Sequence, residues 1–219
     1  MRNLPIIILI LNFAFSRYLS FEEAVLKSPF EIANLGEMFW IPDSDAYLIR
    51  GGKENWNKWY KVKIPEMDTS LFFDYDISIH KDDKFYIDKI IFSNNAKKAL
   101  IKADTEKIWR HSTKGTYYIL DLGLKGIEPL TKKNFELKNV KFSPNSKYIS
   151  YIRQNNNLYF FDIDKRKEKR LTSSGGQDVL NGHFGWLYEE ELTGYDGYRW
   201  SPDSKTIAFW EENQSKVDE

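Results

Sequence analysis

The 219-residue chain contains no cysteine. That excludes disulfide staples, a thiolate nucleophile and cysteine-ligated zinc. Histidine is nearly absent as well: His80, His111 and His183 are the whole supply, and they stand in no metal-ligand spacing. Each reads as a surface or hydrogen-bonded side chain, and no metal or cofactor is expected. Charge of one sign is also missing. Lys+Arg and Asp+Glu are both 32, so the formal net charge is zero. A neutral chain has no overall attraction to nucleic acid or to an anionic membrane. No Gly-x-Ser-x-Gly nucleophile elbow occurs in the chain. Gly51-Gly52 and Gly175-Gly176 are isolated pairs in turns rather than a phosphate-cradling loop.

One apolar run stands out. It extends from Leu4 to Phe15, interrupted by Asn12, and follows Arg2. Ala14 and Ser16 complete a small-x-small pattern, so residues 1–16 read as a secretory signal peptide. An uncleaved signal anchor is the alternative, although the run is shorter than the roughly 20 residues of a comfortable membrane span. Export is thus expected, and a secreted chain without disulfides must rely on burial. Ser20-Phe21-Glu22-Glu23 reads as a capping box that starts a short helix over 21–27 and ends before Pro29. Residues 17–39 form an N-terminal arm in this reading.

Aromatic residues are abundant, at 16% of the chain, which favours pleated, half-buried surfaces. From residue 40 a repeat appears. Trp40-Ile-Pro-Asp-Ser, Phe92-Ser-Asn-Asn, Phe142-Ser-Pro-Asn-Ser-Lys and Trp200-Ser-Pro-Asp-Ser-Lys each precede an alternating strand. The anchoring aromatics at 40, 92, 142 and 200 lie 52, 50 and 58 residues apart. A second strand recurs at 59–62, 117–120 and 158–161, and Thr131 and Thr172 close two of the units. Small meanders repeated at this period are the signature of a β-propeller. Pro, Asp and Asn build the turn, and the aromatic before it is expected to pack between blades. A generic antiparallel β-sandwich is the competing architecture. The expected fold is all-β: a partial propeller over 40–219 of about three and a half blades. Such a ring needs more blades to close, so the chain reads as the front part of a longer protein. A closed ring made by two chains is the alternative.

Two further segments stand out. One is Trp109-Arg110-His111-Ser112 before the strand Thr116-Tyr-Tyr-Ile-Leu-Asp. The other is Trp186-Leu-Tyr-Glu-Glu-Glu191 followed by Tyr198-Arg-Trp-Ser-Pro202. Together, and in this order, they resemble the N-terminal propeller of the dipeptidyl peptidase IV family of serine exopeptidases. The resemblance spans most of residues 20–217. It implies an eight-bladed propeller followed by an α/β-hydrolase domain that holds the catalytic Ser, Asp and His, so no catalytic residue is expected in this chain. It further implies release of X-Pro or X-Ala dipeptides from peptides with a free N-terminus, and a possible homodimer in the full-length protein. Glu190 and Glu191 match the pair that binds the substrate ammonium, and Arg110 matches the arginine that hydrogen-bonds a substrate carbonyl.

Two positions depart from the family pattern. Gly185 stands where many members carry Asp, so a hydrogen bond bracing the glutamate helix is expected to be lost. Thr193 replaces an aromatic that lines the pocket in animal members. A non-catalytic propeller scaffold, or a degenerate relative lacking the hydrolase domain, is the second functional reading. The basic run Lys165–Arg170 is expected to be a charged hairpin loop rather than a nucleic-acid site. Asn213-Gln-Ser fits a glycosylation sequon or an unmodified turn.

Overall fold

The computed structural model describes residues 20, 37–41, 44–55, 57–74, 87–124, 126–131 and 136–217. The chain divides into two compact units, Met1–Leu35 and Gly36–Glu219. The signal peptide and the helix expected over 21–27 lie outside the described residues, as does His80.

The larger unit is built of antiparallel meanders. Strands β1 (Met38–Trp40), β2 (Ala46–Arg50), β3 (Lys58–Lys63) and β4 (Thr69–Asp74) pair in chain order. Next come β5 (Ile87–Phe92), β6 (Lys98–Lys107), β7 (Thr113–Asp121) and β8 (Ile127–Pro129). A third meander holds β9 (Leu137–Phe142), β10 (Tyr148–Ile152), β11 (Leu158–Asp162) and β12 (Lys167–Arg170). A short bridge joins the second and third, with Lys114 opposite Lys138 and Gly115 opposite Leu137. The rest comprises β13 (Val179–Asn181), helix α1 (Trp186–Leu192), β14 (Tyr198–Trp200), β15 (Ile207–Phe209) and β16 (Glu211–Asn213). There β14 pairs with β15, and β13 pairs with β16. These are the blades of a partial propeller, with the predicted repeat strands in β2, β6, β10 and β15.

The repeated turn has one local chemistry. Ser93, Ser143 and Ser201 each donate a side-chain bond to the Asn or Asp two residues on, at 2.6–2.8 Å. Each of these hydroxyls also accepts the N–H five residues on, at 3.0 Å. The tight reversal puts Ala96, Ser146 and Ser204 in the left-handed region, with φ of 49°, 61° and 61°. The turns also stitch neighbouring blades. Asn95 N–H donates to Ser146 Oγ at 3.3 Å, and Asn145 N–H donates to Ser204 Oγ at 3.0 Å.

Strand alternation then builds the seams between blades. In β6, Ala99 and Ile101 face the first blade, whereas Leu100 faces the third. In β10, Ile149 and Tyr151 face the second blade, and Ile152 faces Tyr198 of the fourth. Fully burying each Leu or Ile of this kind contributes roughly 1.5–3 kcal/mol. Two anchoring aromatics fill seams as expected. Phe92 meets Trp59 edge-on at 4.9 Å, and Trp200 donates its indole N–H to Ser150 Oγ at 2.8 Å. Trp40 does not. It is 52% exposed and stacks on Tyr47 at 6.1 Å, because no earlier blade covers it among the described residues.

The basic run corrects its expectation. Lys167–Arg170 form strand β12 rather than a loop, pairing with β11 from Tyr159↔Arg170 to Asp162↔Lys167. All four residues are exposed. Charged side chains on an outer strand discourage pairing with other chains, so periodicity could not reveal this strand.

Candidate functional site

The second blade carries the longest hairpin among the described residues, β6 to β7. A bulge between Ala103 and Glu106 bends it. Asp104 takes a φ of 51° there, and Thr105 N–H donates to Asp88 Oδ2 at 3.0 Å. The hairpin tip is the predicted segment Trp109-Arg110-His111-Ser112, closed by Ile108 N–H to Ser112 O at 3.0 Å. Behind the tip, Lys114 bridges Glu106 and Glu136 at 2.9 and 2.8 Å.

Helix α1 sits on an excursion between β13 and β14, anchored at both ends. Before it, Asn181 and His183 are buried. His183 Nε2 lies 3.0 Å from Asn156 Oδ1 and 3.2 Å from Lys138 Nζ. Burial, reinforced by the Lys138 charge, pushes the imidazole down to about 3, so it is neutral. Burial likewise pushes Lys138 down to about 8. After the helix, Asp196 is held by Lys141 at 2.7 Å and by Arg199 at 2.8 Å.

The three consecutive glutamates of α1 have three different environments. Glu189 is fully buried. Its Oε1 accepts the N–H groups of His111 and Ser112 at 2.6 and 2.7 Å. Burial opposes its charge, but the Ser112 side chain and these N–H groups outweigh that penalty and hold the carboxyl below its ordinary range. Its Oε2 makes no hydrogen bond of good geometry, nor does the Ser112 hydroxyl. Glu190 is the partner of Arg110, with Oε2 and Nη2 2.8 Å apart. Glu191 is exposed. Arg110 and Glu190, predicted 80 positions apart, therefore meet. Glu191 stands beside them on the helix and makes no contact with Arg110 within ion-pair distance.

Sequence reasoning missed Glu189, and pattern reasoning points the wrong way. Amphipathic helices bury their apolar face. In α1 the sole buried residue is the acid, while Trp186, Leu187 and Leu192 are 54%, 61% and 66% exposed. No local signal distinguishes the first glutamate from the next two.

Gly185 makes no side-chain cap bond at the start of α1, but its backbone finds another partner. Gly185 N–H donates to Glu212 Oε2 at 2.8 Å. Gln214, bonded to Glu212 at 2.6 Å, fills the space of the missing side chain. A Cβ at Gly185 would lie 1.9 Å from Gln214 Nε2. Glu212 also places negative charge by the helix N-terminus, a favourable position. Thr193 is the helix C-cap, exposed and left-handed at φ 55°. Its hydroxyl donates to Leu192 O at 2.7 Å. Among the described residues no group of three or more His, Asp or Glu is arranged to hold a metal ion.

The family model for the dipeptidyl peptidase IV (DPP IV) N-terminal region matches residues 93–219. The chain belongs to this family. It is 37% identical over 130 residues to a probable dipeptidyl-aminopeptidase B of Talaromyces marneffei, covering 58% of this chain and 14% of that protein. It is 32% identical over 167 residues to dipeptidyl aminopeptidase B of Saccharomyces cerevisiae, covering 74% of this chain and 20% of that protein. The chain thus spans a minor part of the relatives it matches. The crystal structure of Porphyromonas gingivalis dipeptidyl peptidase 4 shares the fold. Its TM-score is 0.74 at 24% identity, over 90% of this chain and 28% of that one. The segments around Arg110 and Glu190 both lie inside the matched region.

Proposed function

We propose that this DPP IV-type region is the substrate-recognition portion of an exported dipeptidyl peptidase that releases N-terminal dipeptides, X-Pro or X-Ala. The observation carrying this reading is the 2.8 Å Arg110–Glu190 pair, mounted on a hairpin tip that Glu189 clamps to α1. An exposed ion pair contributes only about 0–1 kcal/mol to stability. Arg110 is 66% exposed and Glu190 13%, so the pair is half open to solvent and the guanidinium stays within reach of a ligand.

A peptide α-amino group has a pKa near 8 and is mostly charged at neutral pH. Glu190 and Glu191 offer it two carboxylates and charge-assisted hydrogen bonds. Arg110 keeps N–H donors in a planar fork for the carbonyl of the first residue. Anchoring the terminus sets a fixed distance to the nucleophile, so that the second peptide bond is the one reached. The nucleophile itself would come from an α/β-hydrolase domain outside this chain.

The test uses the complete protein and a peptide offered with a free and with an acetylated N-terminus. Glu190→Ala and Glu191→Ala are each expected to reduce dipeptide release at least a hundredfold, about 2.7 kcal/mol or more. The acetylated peptide should be inert to wild type. If release survives both substitutions, the glutamates do not bind the terminus; if the wild type releases no dipeptide at all, the scaffold reading gains.

A further inference from the structure

A cavity of about 790 Å3 opens beside the recognition hairpin, lined by residues of β1, β5 and β9, by His111 and Thr113, and by Tyr195 and Asp196. Part of its wall is aromatic, including Phe39, Trp59 and Tyr117. Three lysines line it. Lys141 is neutralised by Asp196 at 2.7 Å. The other two, Lys89 and Lys102, are direct cross-strand partners on β5 and β6, so their side chains leave the same face of the sheet. Lys102 is 6% exposed, and its ammonium has one neutral partner, Thr113 Oγ1, at 2.6 Å. Among the described residues neither lysine has a carboxylate within ion-pair distance. Asp88 acts on Lys102 only from further away and accepts the N–H of Thr105.

This arrangement is unfavourable for the fold. Like charges directly opposite one another repel. A buried ammonium without an anion also loses its hydration with little compensation. Burial accordingly lowers the Lys102 pKa. A carboxylate entering the cavity would relieve both costs at once.

We propose that this cavity is a carboxylate-binding subsite in which Lys89 and Lys102 supply the charge and the Thr113 hydroxyl a further donor. His111 lines the cavity and follows Arg110 directly, so the subsite adjoins the place assigned to the substrate N-terminus. In its substrate form the inference rests on the proposed function. The carboxylate then belongs to an acidic side chain of the same peptide, beyond the cleaved dipeptide. The same chemistry would also accept a free dicarboxylate.

The complete protein is tested with peptide pairs that differ only by Glu or Gln at one of positions three to six. The Glu peptide is expected to show a KM about tenfold lower at low salt, with the advantage shrinking as salt rises. Lys89→Gln, at an exposed position, should abolish that advantage and leave the Gln peptide unchanged. Glutarate binding is followed in parallel by calorimetry, which needs no peptidase activity. Glutarate binding that Lys89→Gln removes, without any Glu/Gln difference, assigns the subsite to a free carboxylate. Equal KM values together with no glutarate binding overturn the subsite. So do equal effects of Lys89→Gln on both peptides combined with unchanged glutarate binding. Loss of all dipeptide release in wild type would refute the peptidase reading alone, because glutarate still reports on the lysines.

Discussion

The repeated blade turns and the β6–β7 hairpin hold distant parts of the chain together in opposite ways. At the turns, the link between blades is a neutral hydrogen bond, Asn95 N–H to Ser146 Oγ, repeated one blade on as Asn145 N–H to Ser204 Oγ. Each link is backed by an apolar seam, so no single bond carries the junction. At the hairpin, one fully buried carboxylate gathers two backbone N–H groups from 77 and 78 residues away. The other links there are the Arg110–Glu190 pair at 2.8 Å and the stacking of His111 on Tyr195 at 6.2 Å, both nearer the surface. The scaffold spreads its load, whereas the site concentrates it on one buried carboxylate. A shared load tolerates sequence variation, whereas a buried charge demands its donors in place.

Glu189→Ala tests the contrast most severely. It removes two charge-assisted bonds, each worth about 1.5–3 kcal/mol, and strands two N–H groups. A loss of roughly 3 kcal/mol or more is expected in chemical denaturation. Faster hydrogen exchange at His111 and Ser112 should accompany it, and Arg110 should lose its alignment. Unaltered exchange at the tip would show that the hairpin stands without the clamp.

The excursion bearing α1 offers a second test, through pH. His183 is neutral in the fold, with its pKa pushed to about 3. In the unfolded chain it protonates near the ordinary value of about 6.5. The unfolded state therefore binds more protons as pH falls from about 6.5 towards 3. Stability is fully present above that window and declines within it by up to about 1.4 kcal/mol per pH unit. Unfolding curves of His183→Gln should lack this component. An unchanged pH slope would mean that the imbalance lies elsewhere.

Ser146→Ala and Ser204→Ala should have the smallest effects, about 1 kcal/mol each. They lie at different seams and should add within about half a kcal/mol. A cost at either serine comparable with that of Glu189→Ala would erase the distinction between a shared and a single link.

Much of the scaffold was legible in advance. The Ser-x-Asn/Asp turn is a closed local unit spanning six residues, and alternation in β6 and β10 names the seam each side chain enters. Strand β12 was not legible, because its four exposed charged residues carry no alternation. Arg110 and Glu190 could be named through the family resemblance, but the distance between them could not. The partners of Gly185 were not legible either, since Glu212 and Gln214 turn alongside it only through the β13–β16 pairing.

Composition and local pattern by themselves determined an all-β chain of repeating blades with no thiol to use. Hydrogen bonds within a few residues and a two-residue period encode that much. Tertiary structure alone decided which glutamate is buried as a clamp, which meets arginine and which stays exposed. Three identical side chains in one helix differ only in what surrounds them, and the N–H groups that make burial of Glu189 tolerable come from the far hairpin.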